Sequence, residues 1–142
     1  DAGAHLDLAI CLANVARAGG ATYEEAEAEY RTVVDLDPGS AEARYGLAMI
    51  AWKGRNDLAA AEKEAQAAIR LRPDYGAGRA LLARILAERG NLTGAAEHYR
   101  EAIALDRPGT RTYRDLVTSY AVVLRGLGLD AEATRILEAA GG

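Results

Sequence analysis

With 142 residues and 15.0 kDa, the chain has room for one compact domain or a short repeat array, not for two large domains. Its 32 alanines against three prolines predict an almost entirely helical protein, because Ala is the best helix former and Pro the worst. A net charge of −4 excludes a general phosphate-backbone binder, one Cys excludes an intramolecular disulfide and every multi-Cys zinc arrangement, and the longest apolar runs, Leu8–Ala13 and Leu47–Trp52, are too short to span a bilayer.

The first predicted helix carries Cys11, next to Leu12 and three residues from Leu8, so Cys11 is expected to be a small buried apolar residue. Thr22-Tyr23-Glu24-Glu25 fits a capping box, in which the Thr22 hydroxyl and the Glu25 carboxylate satisfy the first free backbone donors of the second helix. A third helix is predicted over Glu42–Lys53, broken by Gly54-Arg55-Asn56. Asp57 then caps a fourth helix, whose apolar stripe is Leu58, Ala61, Ala65, Ala68 and Ile69. Gly90-Asn91 marks the next inter-helix turn. After Pro108 the pattern predicts a helix over Thr112–Arg125, a break at Gly126–Gly128 and a short helix over Asp130–Ala140.

These elements repeat. Pro38, Pro73 and Pro108 are 35 residues apart, as are Leu12-Ala13, Leu47-Ala48 and Leu82-Ala83, while Ala26, Ala61 and Ala95 keep spacings of 35 and 34. Three independent sets of landmarks with one period define a repeat of two helices per unit. Small residues such as Ala48 and Ala61 let the paired helices approach closely, and neighbouring units supply the rest of the core.

The landmarks resemble the tetratricopeptide repeat family. Leu-Ala in the first helix, then a small residue, an apolar position and a closing Pro recur as Leu12-Ala13/Ala26/Val33/Pro38, Leu47-Ala48/Ala61/Ala68/Pro73 and Leu82-Ala83/Ala95/Ala102/Pro108. A fourth, degenerate unit keeps Tyr120-Ala121, Gly128 and Ala133. The resemblance implies an all-α, right-handed superhelix of about eight antiparallel helices. It implies a single array over residues 1–142, with units near 6–40, 41–75, 76–110 and 111–142.

No grouping of side chains points to catalysis. His98 has no His or Cys one helical turn away, so Glu97 and Glu101 read as solvent charges, not metal ligands. Gly76-Ala77-Gly78 follows a helix end where a dinucleotide fingerprint requires a strand. Asn91-Leu92-Thr93 matches a glycosylation sequon but sits where Asn caps a helix. No catalytic residue, cofactor or metal is therefore expected.

What the resemblance implies functionally is a concave groove lined by the first helix of each unit. Its groove positions are Asp7, Ile10, Asn14 and Arg17 in unit one, and Glu42, Tyr45, Met49, Trp52 and Lys53 in unit two. They are Ala80, Arg84 and Glu88 in unit three, and Asp115, Thr118, Val122 and Arg125 in unit four. Tyr45, Met49 and Trp52 share one helix face at i, i+4 and i+7. Since Leu47, Ala48 and Ala51 occupy the packing positions on another face, that stripe is expected to anchor a partner. Asn14, Arg17, Arg84 and Arg125 are expected to orient a peptide that is acidic or ends in a free carboxylate.

The expected partner is thus a protein or peptide segment, with no nucleic acid and no membrane. In the family's chaperone-tail carboxylate clamp only Asn14 finds its match; Ile10, Gly46, Ala77 and Leu81 stand at the other positions, so that tail is not an expected ligand. Two alternatives remain: a self-assembling module that forms homo-oligomers through its end helices, and an accessory domain of a larger enzyme. The chain opens on Asp1 rather than Met, so residues upstream, with any targeting signal, are expected to have been removed.

Overall fold

The computed structural model describes residues 1–19 and 22–141. Eight helices run in order among them: α1 (Ala2–Arg17), α2 (Tyr23–Leu36), α3 (Ala41–Met49, continued by a π-helical turn over Ile50–Gly54), α4 (Leu58–Leu71), α5 (Gly76–Glu88), α6 (Leu92–Leu105), α7 (Arg111–Gly126) and α8 (Asp130–Gly141). They form two compact units, Asp1–Pro73 and Asp74–Gly142, each of four helices. No strand occurs among the described residues, as composition predicts.

Helix starts follow the sequence closely. Ser40, Asp57, Asn91 and Thr110 each accept a hydrogen bond from the backbone N–H three residues on, at 3.2, 3.1, 2.9 and 3.0 Å. The exceptions are α5, whose N-cap Tyr75 makes no side-chain capping bond, and α2. Thr22 has the extended backbone of an N-cap, but its side chain makes no capping hydrogen bond, so the expected capping box is not formed. Negative charge from Glu24 and Glu25 in the first turn still favours that end.

In the first unit α1, α2 and α3 share a core of Ala9, Ala26, Tyr30, Val33, Ala43, Leu47 and Ile50. The tightest packing is between Tyr30 and Gly46: a Cβ on Gly46 would lie 2.2 Å from the phenol ring. Glycine is required there by space alone. Burial, with Tyr45 nearby, raises the Tyr30 hydroxyl above its ordinary pKa, so the ring stays neutral in this core. Polar contacts brace the helix pairs at their edges, a hydrogen bond between His5 and Glu29 at 2.6 Å and an ion pair of Arg44 with Glu64 at 3.0 Å.

In the second unit Leu81, Leu82 and Ile85 of α5, Tyr99 of α6, and Val123 and Leu124 of α7 are buried. Ala133 is the one buried residue given by α8. Gly126 of α7 lies against Leu92 of α6, where a Cβ would come within 2.9 Å of the leucine side chain. Arg79 pairs with Glu101 across α5 and α6.

Two further expectations are corrected. Cys11 is exposed rather than buried, and the stretch Glu42–Lys53 is not one uninterrupted α-helix. Past Met49 the backbone winds more loosely: the Arg55 N–H donates to the Ile50 carbonyl at 3.1 Å, an i→i+5 bond, and the Asp57 N–H reaches the Ala51 carbonyl at 2.7 Å. Asn56 then takes the left-handed conformation, with φ of 50°, that turns the chain into α4.

Candidate functional site

Six of the seven predicted binding residues fall into three groups. Asn14 and Arg17 lie on the last turns of α1, both exposed, and the Arg17 guanidinium donates to the Asn14 amide oxygen at 3.1 Å. Tyr45 and Met49 lie one turn apart on α3 and are half-buried. Arg84 of α5 and Arg125 of α7 are exposed in the second unit. The structure therefore brings Asn14 and Arg17 together, and Tyr45 and Met49 together.

Trp52 behaves differently. It is 6 % exposed, a core residue, and does not offer its ring as an open anchor. The reason is the π-helical turn. A regular α-helix advances about 100° per residue, which would carry Trp52 onto the Tyr45–Met49 face. One additional residue in the turn rotates it inward, so Ile50, Ala51 and Trp52 are buried in succession. The Lys53 ammonium sits 4.1 Å from the centroid of the indole ring, a cation–π contact at the edge of the unit.

Two apolar groove positions left out of the anchor stripe prove exposed. Ile10, which is to unit one what Tyr45 is to unit two, is 44 % exposed, and Val122 on α7 is 63 % exposed. Their signal was present in the sequence, since Ile10 stands 35 residues before Tyr45. An aliphatic side chain at one groove position is simply less conspicuous than an aromatic stripe.

Each unit also has a shallow recess. That of the first unit, about 190 Å³, is lined by Glu27, Arg31, Arg55 and Glu64 over Leu47 and Ile50. Glu27 pairs there with both Arg31 and Arg55, so its charges neutralise one another. The recess of the second unit, about 250 Å³, is more apolar, with Ala77, Ala80, Leu105 and Leu116 among its walls. Among the described residues no group of three or more His, Cys, Asp or Glu side chains is placed to hold a metal ion, and no helix is long and apolar enough to cross a membrane.

Paired helices with small residues at their crossings, repeated at 35 residues, define a helical-repeat protein. The tetratricopeptide repeat profile matches residues 11–75 and 53–109, and the chain belongs to that family. Solved structures agree. A crystal structure of MamA is 26 % identical with a TM-score of 0.81, covering 99 % of this chain and 76 % of its own. The first tetratricopeptide domain of Spaghetti (RPAP3), bound to the HSP90 peptide SRMEEVD, is 20 % identical with a TM-score of 0.75, covering 90 % and 96 %. A mutant O-GlcNAc transferase of Thermobaculum terrenum is likewise 20 % identical, with a TM-score of 0.72, covering 87 % of this chain and 23 % of the enzyme. The last two likenesses show the fold, and the transferase shows that the fold occurs within an enzyme. No curated protein matches the sequence.

Proposed function

We propose that this chain is a protein-interaction scaffold, without catalysis of its own, that binds a peptide segment along the first helices of its repeats. The observation that carries the reading is the half-buried Tyr45–Met49 pair on α3, with exposed Ile10, Asn14 and Arg17 at the corresponding positions of α1. Half-buried aromatic and thioether side chains keep fixed rotamers yet present apolar area, which suits a hot spot. Arg17 beside Asn14 in the first unit favours a ligand with carboxylates, either acidic side chains or a free C-terminus, and Arg84 and Arg125 offer the same chemistry within the second unit. Trp52, buried in the π-helical turn, is not included as an anchor.

Two groups of variants test this on an array of extended peptides, acidic or neutral, with free or amidated C-termini. Tyr45→Ala and Met49→Ala, alone and together, should weaken binding by about 2 kcal/mol at the stronger position, as hot-spot truncations do. Arg17→Ala or Arg84→Ala should erase the preference for carboxylates. Unchanged binding by the folded Tyr45/Met49 double variant would remove α3 from the site.

A further inference from the structure

Ile10 on α1, Tyr45 on α3 and Ala80 on α5 stand at intervals of 35 residues and differ widely in size. A second set behaves alike, with Val33 of α2 and Ala68 of α4 followed by Ala102 of α6. In the first unit both positions carry branched aliphatics, Val33 buried at 1 % exposure and Ile10 at 44 %. In the second unit both carry alanine, and there the recess of about 250 Å³ lies between α5 and α7 over the end of α6. Ala80, Ala102, Leu105 and Leu116 give it hydrocarbon walls, and all its walls belong to the Asp74–Gly142 unit.

Size and polarity narrow what it can hold. An apolar cavity of about 150 Å³ takes a benzene ring, so this hollow has room for a whole side chain. Water meets few polar partners against such walls, and hydrocarbon that displaces it is favoured. Asp106 is the one charged side chain among the described walls. Its carboxylate accepts the Arg107 N–H at 2.7 Å and keeps lone pairs for a second donor. The nearby guanidinium groups have carboxylates of their own: Arg79 pairs with Glu101, and Arg111 lies 4.0 Å from Asp115. An apolar hollow with one carboxylate at its wall selects an apolar group that has positive charge beside it.

We infer that this hollow of the second unit binds a leucine-sized aliphatic side chain of a peptide whose neighbouring residue is Lys or Arg. The hydrocarbon lies against Ala80, Ala102 and Leu116, and the cation meets Asp106. The inference rests on the reading of the chain as a peptide binder, but it uses no residue of α3.

Three capped dipeptides added to the whole chain test it: N-acetyl-Leu-Lys-amide, N-acetyl-Ala-Lys-amide and N-acetyl-Leu-Glu-amide. Amide shifts of the isotope-labelled protein read both affinity and place of binding. The Leu-Lys probe should move the amides of Gly76, Ala80 and Thr112. The Ala-Lys probe, three carbons smaller, should bind about tenfold more weakly. The Leu-Glu probe should lose severalfold through its reversed charge. Ala80→Ile gives α5 the side chain that Ile10 gives α1, and should abolish binding with the fold intact. Ala77→Leu, at an exposed wall position, should do the same, which guards against a variant that fails to fold. Asp106→Asn keeps an acceptor for the Arg107 N–H and should bring the Leu-Lys and Leu-Glu probes level. The Tyr45/Met49 double-alanine variant should bind the Leu-Lys probe as the wild type does, so failure of the α3 anchor leaves this site standing. Absence of any shift at Gly76 and Ala80 overturns the inference. So does equal wild-type binding of the Leu-Lys probe and either of the other two. Shifts confined to α3 that vanish in the double variant overturn it as well, while leaving the peptide reading in place.

Discussion

Helices α3 and α5 hold the same place in successive repeats, yet one ends in a π-helical turn and the other does not. From Ser40 to Asp57, the caps that bracket α3, is 17 positions; from Tyr75 to Asn91, around α5, is 16. Up to Ile50 the two match at an offset of 35: Leu47 with Leu82, Ala48 with Ala83, Ile50 with Ile85. Beyond it the offset is 34, which places Trp52 on Leu86, and both are 6 % exposed. The difference teaches that an inserted residue is absorbed by the helix itself and decides which side chains are core. In α3 the π turn places a large indole where α5 has a leucine.

The sharpest way to break the comparison is to truncate the two matched side chains. Trp52→Ala should cost about 3–5 kcal/mol and Leu86→Ala about 2–5 kcal/mol in denaturant unfolding, as buried large-to-small changes do. A Trp52→Ala loss no larger than that of a surface substitution would return the ring to the groove. Next is Gly46→Ala. Its Cβ meets the Tyr30 ring, and overpacking of this kind costs about 1–3 kcal/mol. The equivalent position on α5, Leu81, already carries a side chain, so Leu81→Ala should destabilise by leaving space instead. Together these reverse the usual expectation that alanine is the neutral choice in a helix.

Deleting Ala51 sharpens the comparison from the other side. With the additional residue gone, α3 should wind as α5 does, Trp52 should keep its buried place, and stability should change by only about 1 kcal/mol. Deleting Ile85, which has no π turn to absorb the loss, should unfold the helix pair. Circular dichroism on both deletions distinguishes the outcomes, and a collapse of the Ala51 deletion would mean that the π turn is required, not merely tolerated.

The smallest effect concerns a charge difference between the repeats. Arg44 pairs with Glu64 in the first unit, but the matching positions in the second are Arg79 and His98. Burial lowers the pKa of His98 from its ordinary 6.5; Glu101 opposes the shift, Arg79 adds to it, and Glu97 opposes it more weakly. Its Nδ1 is buried with no hydrogen-bond partner. The unfolded chain therefore takes up a proton first, and stability should fall as pH drops from about 6.5 through the lowered folded value. His98→Gln should flatten that slope over the same range in unfolding midpoints. An unchanged slope would assign the pH response to another group.

Sequence periodicity carried the repeat, the helix pairs and the caps at Asp57 and Asn91, because a Pro, a small crossing residue and an N-cap side chain each act over a few residues and leave a mark at a fixed position. The π turn left no such mark. Ile50-Ala51-Trp52 reads as ordinary helix, and only the spacing of the caps betrays the extra residue. Cys11 misled for a different reason: its position in the repeat matches that of the buried Gly46 on α3, but on α1 the same position is exposed. At Thr22 the motif was right and the hydrogen bond was not. Of the candidate positions, the spacing placed Tyr45 and Met49 one turn apart on α3, where they are half-buried, whereas the π turn buries Trp52.

Trp52 is the sole tryptophan of the chain and lies in the buried end of α3, so it is also a built-in optical reporter for one half of the molecule. Indole emission follows the Asp1–Pro73 unit alone, whereas far-ultraviolet ellipticity follows helices in both units. Recorded in the same melt, coincident curves mean that the two halves unfold as one cooperative body, and separated curves give each half its own midpoint without any label being attached.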